Sequence, residues 1–294
     1  MAGTGNRVGQ NLLAGVGYMF LSTVFFSASD VLGKYLIADY PLAEVTWLRS
    51  IFGLAILILI SWALGQANGL RTRHPGWHAF RSCLAVVLLP AIFYGLNHIP
   101  LAEFIAIIFA APFFVAILTP FLLGERVAGK AWLAIGMGFC GILIVTRPTP
   151  DHFHIAHLTT LFCAASTATL SVTARRLIKA DSLFALNFYL YPAGILVYFF
   201  PTIQNWRAPD PLDWLLFVAL GFTATAALWC VILAVRHARP AFVAPIDYIR
   251  IIWTIAVGWW FWNEIPDSTT WLGILVIAAC GLYIVTHGRR DPAS

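Results

Sequence analysis

Ten stretches of apolar residues, joined by short polar breaks, make up most of this 294-residue chain. Each is about 17 to 25 residues long, and a helix of roughly 20 residues rises far enough to cross the hydrocarbon core of a bilayer. Backbone amides in lipid need partners within their own segment, so the pattern predicts membrane-spanning helices. We predict them at 13–37, 43–63, 77–98, 100–122, 130–146, 154–177, 182–201, 212–236, 240–262 and 269–286.

The start of the first segment also has features of a secretion signal. Arg7 precedes the apolar residues 12–26, and Ser27-Ala28-Ser29 resembles a cleavage site for signal peptidase. The apolar stretch continues to Ile37, however. We therefore expect this segment to be retained as the first transmembrane helix.

Composition narrows the classes of function. The chain is 60% hydrophobic and 11% charged, with a mean hydropathy of +0.82, whereas soluble domains carry about 25% charged residues. Little sequence remains for a soluble catalytic domain, and no basic patch interleaved with aromatic residues suggests nucleic-acid binding. We expect neither an enzyme nor a nucleic-acid partner. No cofactor is expected, and the histidines at 152, 154 and 157 are not expected to bind a metal ion.

The positions of Lys and Arg predict the orientation. With the N-terminus in the cytoplasm, 13 of the 18 lie on the inner side, three on the outer side or its helix ends, and two within segments. Positive charge accumulates on cytoplasmic loops. We therefore predict ten crossings with both termini in the cytoplasm, as a multi-pass protein of the bacterial inner membrane.

The two halves of the chain resemble each other at an offset near 140 residues. The run Cys140–Thr146 matches Cys280–Thr286, and Pro100 matches Pro240. This predicts two repeats of five helices, at 12–147 and 153–287. Because five is odd, the second repeat would be inserted the opposite way round. Such inverted repeats recur in secondary transporters, with the substrate site between them near the middle of the membrane.

These features resemble the drug/metabolite transporter superfamily, and each half resembles an EamA-type domain. The resemblance is carried by a Gly124-Glu125 or Asn263-Glu264 break, followed by a glycine-rich last helix that ends in Ile-Val-Thr. Pro245-Ile246-Asp247-Tyr248, with Arg250 and Gly258-Trp259-Trp260 beyond it, is similar to a subgroup that includes aromatic amino-acid exporters. The resemblance implies an inner-membrane carrier that exports small metabolites, including amino acids.

The ninth segment holds the strongest candidates for substrate binding. Asp247, Arg250 and Thr254 share one helical face, and charged residues within a bilayer are costly enough to mark functional sites. Arg250 could hold a carboxylate with two hydrogen bonds while an aromatic ring flanks an apolar side chain. Alternatively, Asp247 and Arg250 neutralise each other and only fix helix packing. The aromatic candidates for the cavity are Trp253, Tyr248, Tyr94 and Trp229.

The first segment also has a polar face, on which Ser27, Asp30 and Lys34 lie at helical spacing. Ser27 is a candidate wall of the cavity. Asp30 and Lys34 are either a local ion pair or part of a gate for the pathway. In the second segment we expect Arg49 to reach outward to the headgroups, the alternative being a pairing with Asp30 or Glu103.

At the outer mouth, Glu103 follows shortly after His98, and a carboxyl beside an imidazole can move protons. The alternative is that both cap helix ends. Three prolines, Pro90, Pro112 and Pro245, are candidate hinges because each frees a backbone carbonyl and permits a kink.

We therefore predict a secondary carrier that works by alternating access through a central cavity, with amino acids as its substrates. Protons are a candidate coupling ion, because no nucleotide-binding motif is present. The alternatives are a carrier of nucleoside-like or drug-like metabolites and a solute channel. The expected partners are a small molecule and the lipid bilayer, and the carrier would act as a monomer or homodimer.

Overall fold

The computed structural model describes residues 12–63, 65, 67–70, 72–124, 127–149, 152–177, 180–237 and 246–287. Its architecture is helical, with a short 3-10 helix at Ala67–Leu70. We number the helices in chain order as α1 (Leu12–Asp39), α2 (Leu42–Ala63), α3 (Pro75–His98), α4 (Leu101–Ile108), α5 (Ala111–Leu123), α6 (Gly129–Thr146), α7 (Ile155–Leu177), α8 (Leu183–Phe188), α9 (Pro192–Gln204), α10 (Pro211–His237), α11 (Arg250–Trp262) and α12 (Ser268–His287).

The described helices match the apolar pattern closely. Nine spans within the described ranges are long and apolar enough to cross a membrane, counting α4 with α5 and α8 with α9 as one span each. The predicted segment 240–262 is described only from residue 246 onward, where α11 supplies 13 helical residues. The helical membrane class is thus confirmed, and the tenth crossing stays a prediction.

Several spans are interrupted, and proline accounts for two of the breaks. The helix of the fourth span is interrupted at Phe109 and Ala110, just before Pro112. The helix of the seventh span is interrupted at 189–191, before Pro192. Proline has no N–H to donate, so a helix readily restarts at its first turn. Of the predicted hinges, Pro112 lies at a break, whereas Pro90 lies inside an uninterrupted α3. Pro245 lies outside the described residues.

Pairs of long helices build the bundle. The most extensive contacts between helices are those of α1 with α10, α6 with α12, α3 with α7 and α2 with α10. Small residues allow the close approach of α6 and α12, since a Cβ atom added at Gly141 would lie 2.9 Å from Cγ1 of Ile277. Close approach through glycine is typical of membrane helices.

Polar side-chain contacts occur at both ends of the bundle, and we name each end after an aspartate that lies there. One end, which we call the Asp39 end, is joined by contacts such as Tyr40 to Asp213 and Glu103 to His157. The other, which we call the Asp181 end, holds Asp181 against His78. Between them lies an apolar core whose fully buried side chains include Leu36, Leu96, Phe104, Ile105, Phe113 and Phe217.

Candidate functional site

The polar faces of α1 and α11 meet inside the bundle. Ser27 Oγ lies 3.5 Å from Thr254 Oγ1. One turn further along α1, Asp30 accepts a hydrogen bond from Arg250. Residues three or four apart share a helical face, so these contacts follow one stripe on each helix. The stripes predicted from spacing are therefore opposed to each other across the two halves of the chain.

Arg250 pairs with Asp30 and not with Asp247. Nη2 of Arg250 donates to Oδ2 of Asp30, and the two side chains are 12% and 10% exposed. The guanidinium also lies 4.8 Å from the centre of the Phe26 ring, a cation–π arrangement. The expected neutralisation of Arg250 by Asp247 is therefore wrong. A carboxylate on another helix satisfies the guanidinium, and the local spacing could not reveal that partner.

Lys34 likewise turns away from Asp30. Its ammonium forms an ion pair with Glu264, whose second oxygen accepts the backbone N–H of Leu101 at 2.8 Å. Lys34 Nζ also lies 5.1 Å from the Trp262 ring centre. The predicted local pair of Asp30 with Lys34 is thus replaced by two interhelical pairs. Together they join α1 to the start of α11 and to the residues just after its end, and Glu264 also holds the start of α4.

Arg49 points into the bundle rather than toward the headgroups. Its guanidinium carbon lies 6.0 Å from the ring centre of Phe93, which is 2% exposed. It is close enough to Asp30 and Tyr191 to interact electrostatically. Within the described residues it forms no hydrogen bond or ion pair, so neither expected pairing, with Asp30 or with Glu103, is present. The outward orientation expected from the sequence is also wrong.

Asp247 is half-buried and directly precedes the turn at 248–249 that leads into α11. It interacts electrostatically with Arg250, but no hydrogen bond or ion pair to its carboxylate occurs in the described part of the chain. The four charges therefore follow the order Arg49, Asp30, Arg250 and Asp247, with alternating signs. The inner two form an ion pair, and the outer two form no hydrogen bond or ion pair with the described residues.

The aromatic candidates do not gather around these charges. Tyr248 stacks on Phe109 with ring centres 4.6 Å apart, and its hydroxyl is buried against Gly281 without a hydrogen bond. Trp253 meets the ring of Phe20 edge-on at 5.9 Å, and its Nε1 is buried without a partner.

The two remaining aromatic candidates lie elsewhere. Trp229 packs beside the buried cluster of Leu57, Phe184 and Tyr191. Tyr94 stacks on His98 at 4.1 Å near the Asp39 end.

Glu103 finds its imidazole partner on α7. His157 Nε2 lies 3.1 Å from a Glu103 oxygen, and His157 is 3% exposed. His98 instead uses Nδ1 on the Tyr94 carbonyl at 2.8 Å and stacks on His154. The sequence placed Glu103 and His98 at the same end correctly. It did not identify His157, which no local spacing connects to Glu103.

The Asp181 end holds a second carboxylate–imidazole contact, which the sequence did not single out. His78 Nε2 lies 3.0 Å from Asp181, and Thr72 donates to the same carboxylate at 2.9 Å. Burial alone would raise the pKa of Asp181. The hydrogen bonds from His78, Thr72 and the Arg73 N–H outweigh it, so the pKa lies below its usual range. This network fixes the connection between α7 and α8 against α3.

An ion pair also lies outside the membrane spans at the Asp39 end. Arg147 donates to Asp267, and this hydrogen bond, followed by that from Thr270, holds the pKa of Asp267 well below its usual range. The Arg147 and Asp267 side chains are 27% and 49% exposed. The pair links the end of α6 to the start of α12.

The chain matches a known family over nearly its whole length. The model of the EamA-like transporter family matches residues 13–147 and again residues 154–286. A solved crystal structure superposes with a TM-score of 0.63 and 20% sequence identity, over 94% of this chain and 95% of that one. At this identity the likeness shows the fold alone.

Three proteins of similar sequence are also transporters. An S-adenosylmethionine uptake transporter of Rickettsia conorii is 27% identical over 95% of this chain and 94% of its own length. A riboflavin transporter of Vibrio cholerae is 26% identical, over 92% and 93%. The pseudopaline exporter CntI of Pseudomonas aeruginosa is 28% identical, over 92% and 95%. The chain therefore belongs to the EamA-like transporter family and is a multi-pass transporter of small metabolites in the bacterial inner membrane.

Proposed function

We propose that this protein is a secondary carrier for small zwitterionic metabolites that contain an α-amino-acid group. One observation carries the proposal: in the series Arg49, Asp30, Arg250 and Asp247, the cation at one end and the anion at the other form no hydrogen bond or ion pair with the described residues. The series is neutral in total. A substrate bearing one carboxylate and one ammonium group can meet both free charges without leaving an uncompensated charge in the bilayer.

One group of relatives, the S-adenosylmethionine uptake transporters, fits this class of substrate. S-adenosylmethionine has an α-amino-acid end and a nucleoside end, so it joins the two substrate types suggested by the sequence, and its sulfonium adds one further positive charge. Amino acids, the aromatic ones included, belong to the same proposal. We propose export as the direction under physiological gradients. The relatives include an uptake transporter and an exporter, which fits a carrier whose direction follows the gradient.

The mechanism we propose is alternating access between two inverted repeats, at 12–147 and 153–287, with ten crossings and both termini in the cytoplasm. The Asp39 end would then face the periplasm. The Lys34–Glu264 pair, with Glu264 also bonded to the Leu101 N–H, would form the gate on that side. Opening must break this pair, and breakable ion pairs between rigid elements suit such a switch.

Counterflow in liposomes tests the proposal. Vesicles containing the purified protein are loaded with an unlabelled compound, and entry of the labelled compound is followed with and without a pH gradient. The compounds are L-phenylalanine, L-methionine, S-adenosylmethionine and riboflavin. We expect saturable counterflow of an amino acid or of S-adenosylmethionine, and no counterflow of riboflavin, which has no α-amino-acid group.

Three other outcomes of the counterflow experiment would each lead to a different conclusion. Counterflow of riboflavin alone would contradict the zwitterionic class. Entry that rises in proportion to concentration, without saturation or counterflow, would indicate a channel. A dependence of the rate on the pH gradient would show coupling to protons.

A further inference from the structure

We propose that Arg49 is the residue that binds the carboxylate of the transported metabolite, and that Arg250 is not. This inference rests on the proposed function, because it assigns a role within the same central site. It differs from the sequence-based expectation, in which Arg250 held the carboxylate.

Competing cations near the site already have protein acceptors. Arg250 is paired with Asp30, and Lys34 is paired with Glu264. Arg81, deeper toward the Asp181 end, donates to two backbone carbonyls and to Thr173. A substrate carboxylate would have to displace a protein acceptor at any of these residues. Arg49 has no such acceptor within the described residues.

Arg49 has unused hydrogen-bonding capacity in a place where that is costly. A guanidinium has five N–H donors, and none of those of Arg49 has a protein acceptor within the described residues. The Nε atom of Arg250 is sealed off by protein without a partner, whereas no nitrogen of Arg49 is buried in this way. The free donors of Arg49 are therefore not fully covered by protein. An unpaired guanidinium within a bilayer marks a functional site.

The location also suits a substrate site. Arg49 lies about 10 Å along α2 from its start, and Asp30 about 14 Å along α1 from its end, at 1.5 Å per residue. The two residues are therefore at similar depth, below the Lys34–Glu264 pair. The ring of Phe93 lies beside Arg49, and Tyr191 is close enough to interact with Arg49 electrostatically; both aromatic residues are buried. A planar guanidinium flanked by rings can hold a carboxylate with two parallel hydrogen bonds while the rings contact an apolar side chain.

The test compares compounds with and without a carboxylate. The pairs are L-phenylalanine with L-phenylalaninamide and S-adenosylmethionine with its decarboxylated form. Inhibition of counterflow by each member is measured for the wild type, Arg49→Gln, Arg49→Lys and Arg250→Gln. As a matched control, Arg147→Gln removes a positive charge outside the membrane spans. The amount of folded protein is measured for every variant.

We expect the wild type to prefer the carboxylate compound, and Arg49→Gln to lose about 10- to 100-fold of that preference, as expected for a charge-assisted pair. Arg49→Lys should lose less, because a lysine keeps the charge but not the planar fork. Arg147→Gln should keep the wild-type preference. The ratio within a pair reports recognition, because a merely less stable variant loses transport of both members equally.

An unchanged preference in Arg49→Gln would overturn the inference while leaving the proposed function standing. A loss of preference in Arg250→Gln, with Arg49→Gln unaffected, would return the role to Arg250. If Arg49→Gln does not fold, Arg49→Lys decides: an unchanged ratio in that variant overturns bidentate recognition. Failure of the wild type to transport any of these compounds would contradict the proposed function, and this inference with it.

Discussion

The ring of Phe109 stacks on the ring of Tyr248, with centres 4.6 Å apart and planes inclined by 19°. Each residue lies where its span is interrupted, Phe109 between α4 and α5 and Tyr248 just before α11. The two breaks therefore contact each other. Tyr248 also touches Gly281 of α12 through its hydroxyl.

This contact predicts that one small substitution lowers the stability of the fold and that another leaves it unchanged. Gly281→Ala should destabilise the fold by about 1–3 kcal/mol, because the added methyl overlaps the Tyr248 hydroxyl. Tyr248→Phe should be as stable as the wild type, because the hydroxyl that it removes is buried without a hydrogen bond. The melting temperature in detergent measures both.

The double variant Tyr248→Phe/Gly281→Ala is the control for this explanation. With the hydroxyl gone, the atom closest to the new Cβ would be the ring carbon Cζ, at 3.1 Å. We expect the double variant to recover most of the lost stability. Equal destabilisation in the single and double variants would show that the cost of Gly281→Ala arises elsewhere.

The Asp30–Arg250 pair predicts a strong effect of removing either partner. Asp30→Asn leaves a guanidinium unpaired in the bundle, and breaking a buried pair in this way costs about 3–5 kcal/mol. Thermal stability should fall in Asp30→Asn and in Arg250→Gln. The double variant Asp30→Asn/Arg250→Gln should be more stable than the sum of the two losses predicts. Additive losses would mean that the two residues do not interact.

The Lys34–Glu264 pair predicts protection of the residues beneath it. In a background with the five native cysteines replaced by alanine, Ser27→Cys should react slowly with a membrane-impermeant maleimide added from the Asp39 end. Adding Lys34→Met should speed the reaction several-fold, because the gate loses its ion pair. Glu264→Gln should act similarly but more weakly, since it keeps an oxygen for the Leu101 N–H. Unchanged labelling in both variants would rule out this pair as the gate.

The network at Asp181 predicts a pH dependence of stability. Its pKa in the folded protein lies below the unfolded value of about 3.9, so the ionised carboxylate stabilises the fold at neutral pH. This contribution is present above pH 4 and is lost as the pH falls through the folded pKa. Asp181→Asn should therefore lower the melting temperature equally at pH 7 and pH 5. The difference from the wild type should shrink below pH 4. Thr72→Val, which removes one donor to Asp181, should show the same trend with a smaller amplitude.

The sequence predicted the helices and their polar faces but not the partners across faces. Helical spacing compares residues three or four apart, so it identified the stripes of Ser27 with Asp30 and of Arg250 with Thr254. For Lys34 and Arg250, the protein partners that it offered as alternatives lay on the same helix. The observed partners of Asp30 and Lys34 lie 220 and 230 residues away. Only the packing of one helix against another brings these residues together, and the spacing of residues along a single helix carries no information about that packing.

Two further differences, at the prolines and at Arg49, have other causes. Pro112 and Pro90 look alike in the sequence, yet only Pro112 follows a break. Pro112 lies in the first turn of α5, where its missing N–H would be free in any helix, whereas Pro90 is accommodated within a continuous α3. Arg49 was expected at the headgroups because its side chain is long enough to reach them. Its burial among α1, α2 and α3 depends on side chains from three helices.

The distance along the chain between Asp30 and Arg250 has a consequence for biosynthesis. At about 5–20 residues per second, the ribosome needs on the order of 10–45 s to reach Arg250 after it has made Asp30. During that interval the first helix has neither of its final ion-pair partners. Asp30 and Lys34, one turn apart, are then each other's nearest opposite charge, so the local pair absent from the finished fold can serve as a temporary one while the nascent protein leaves the translocon.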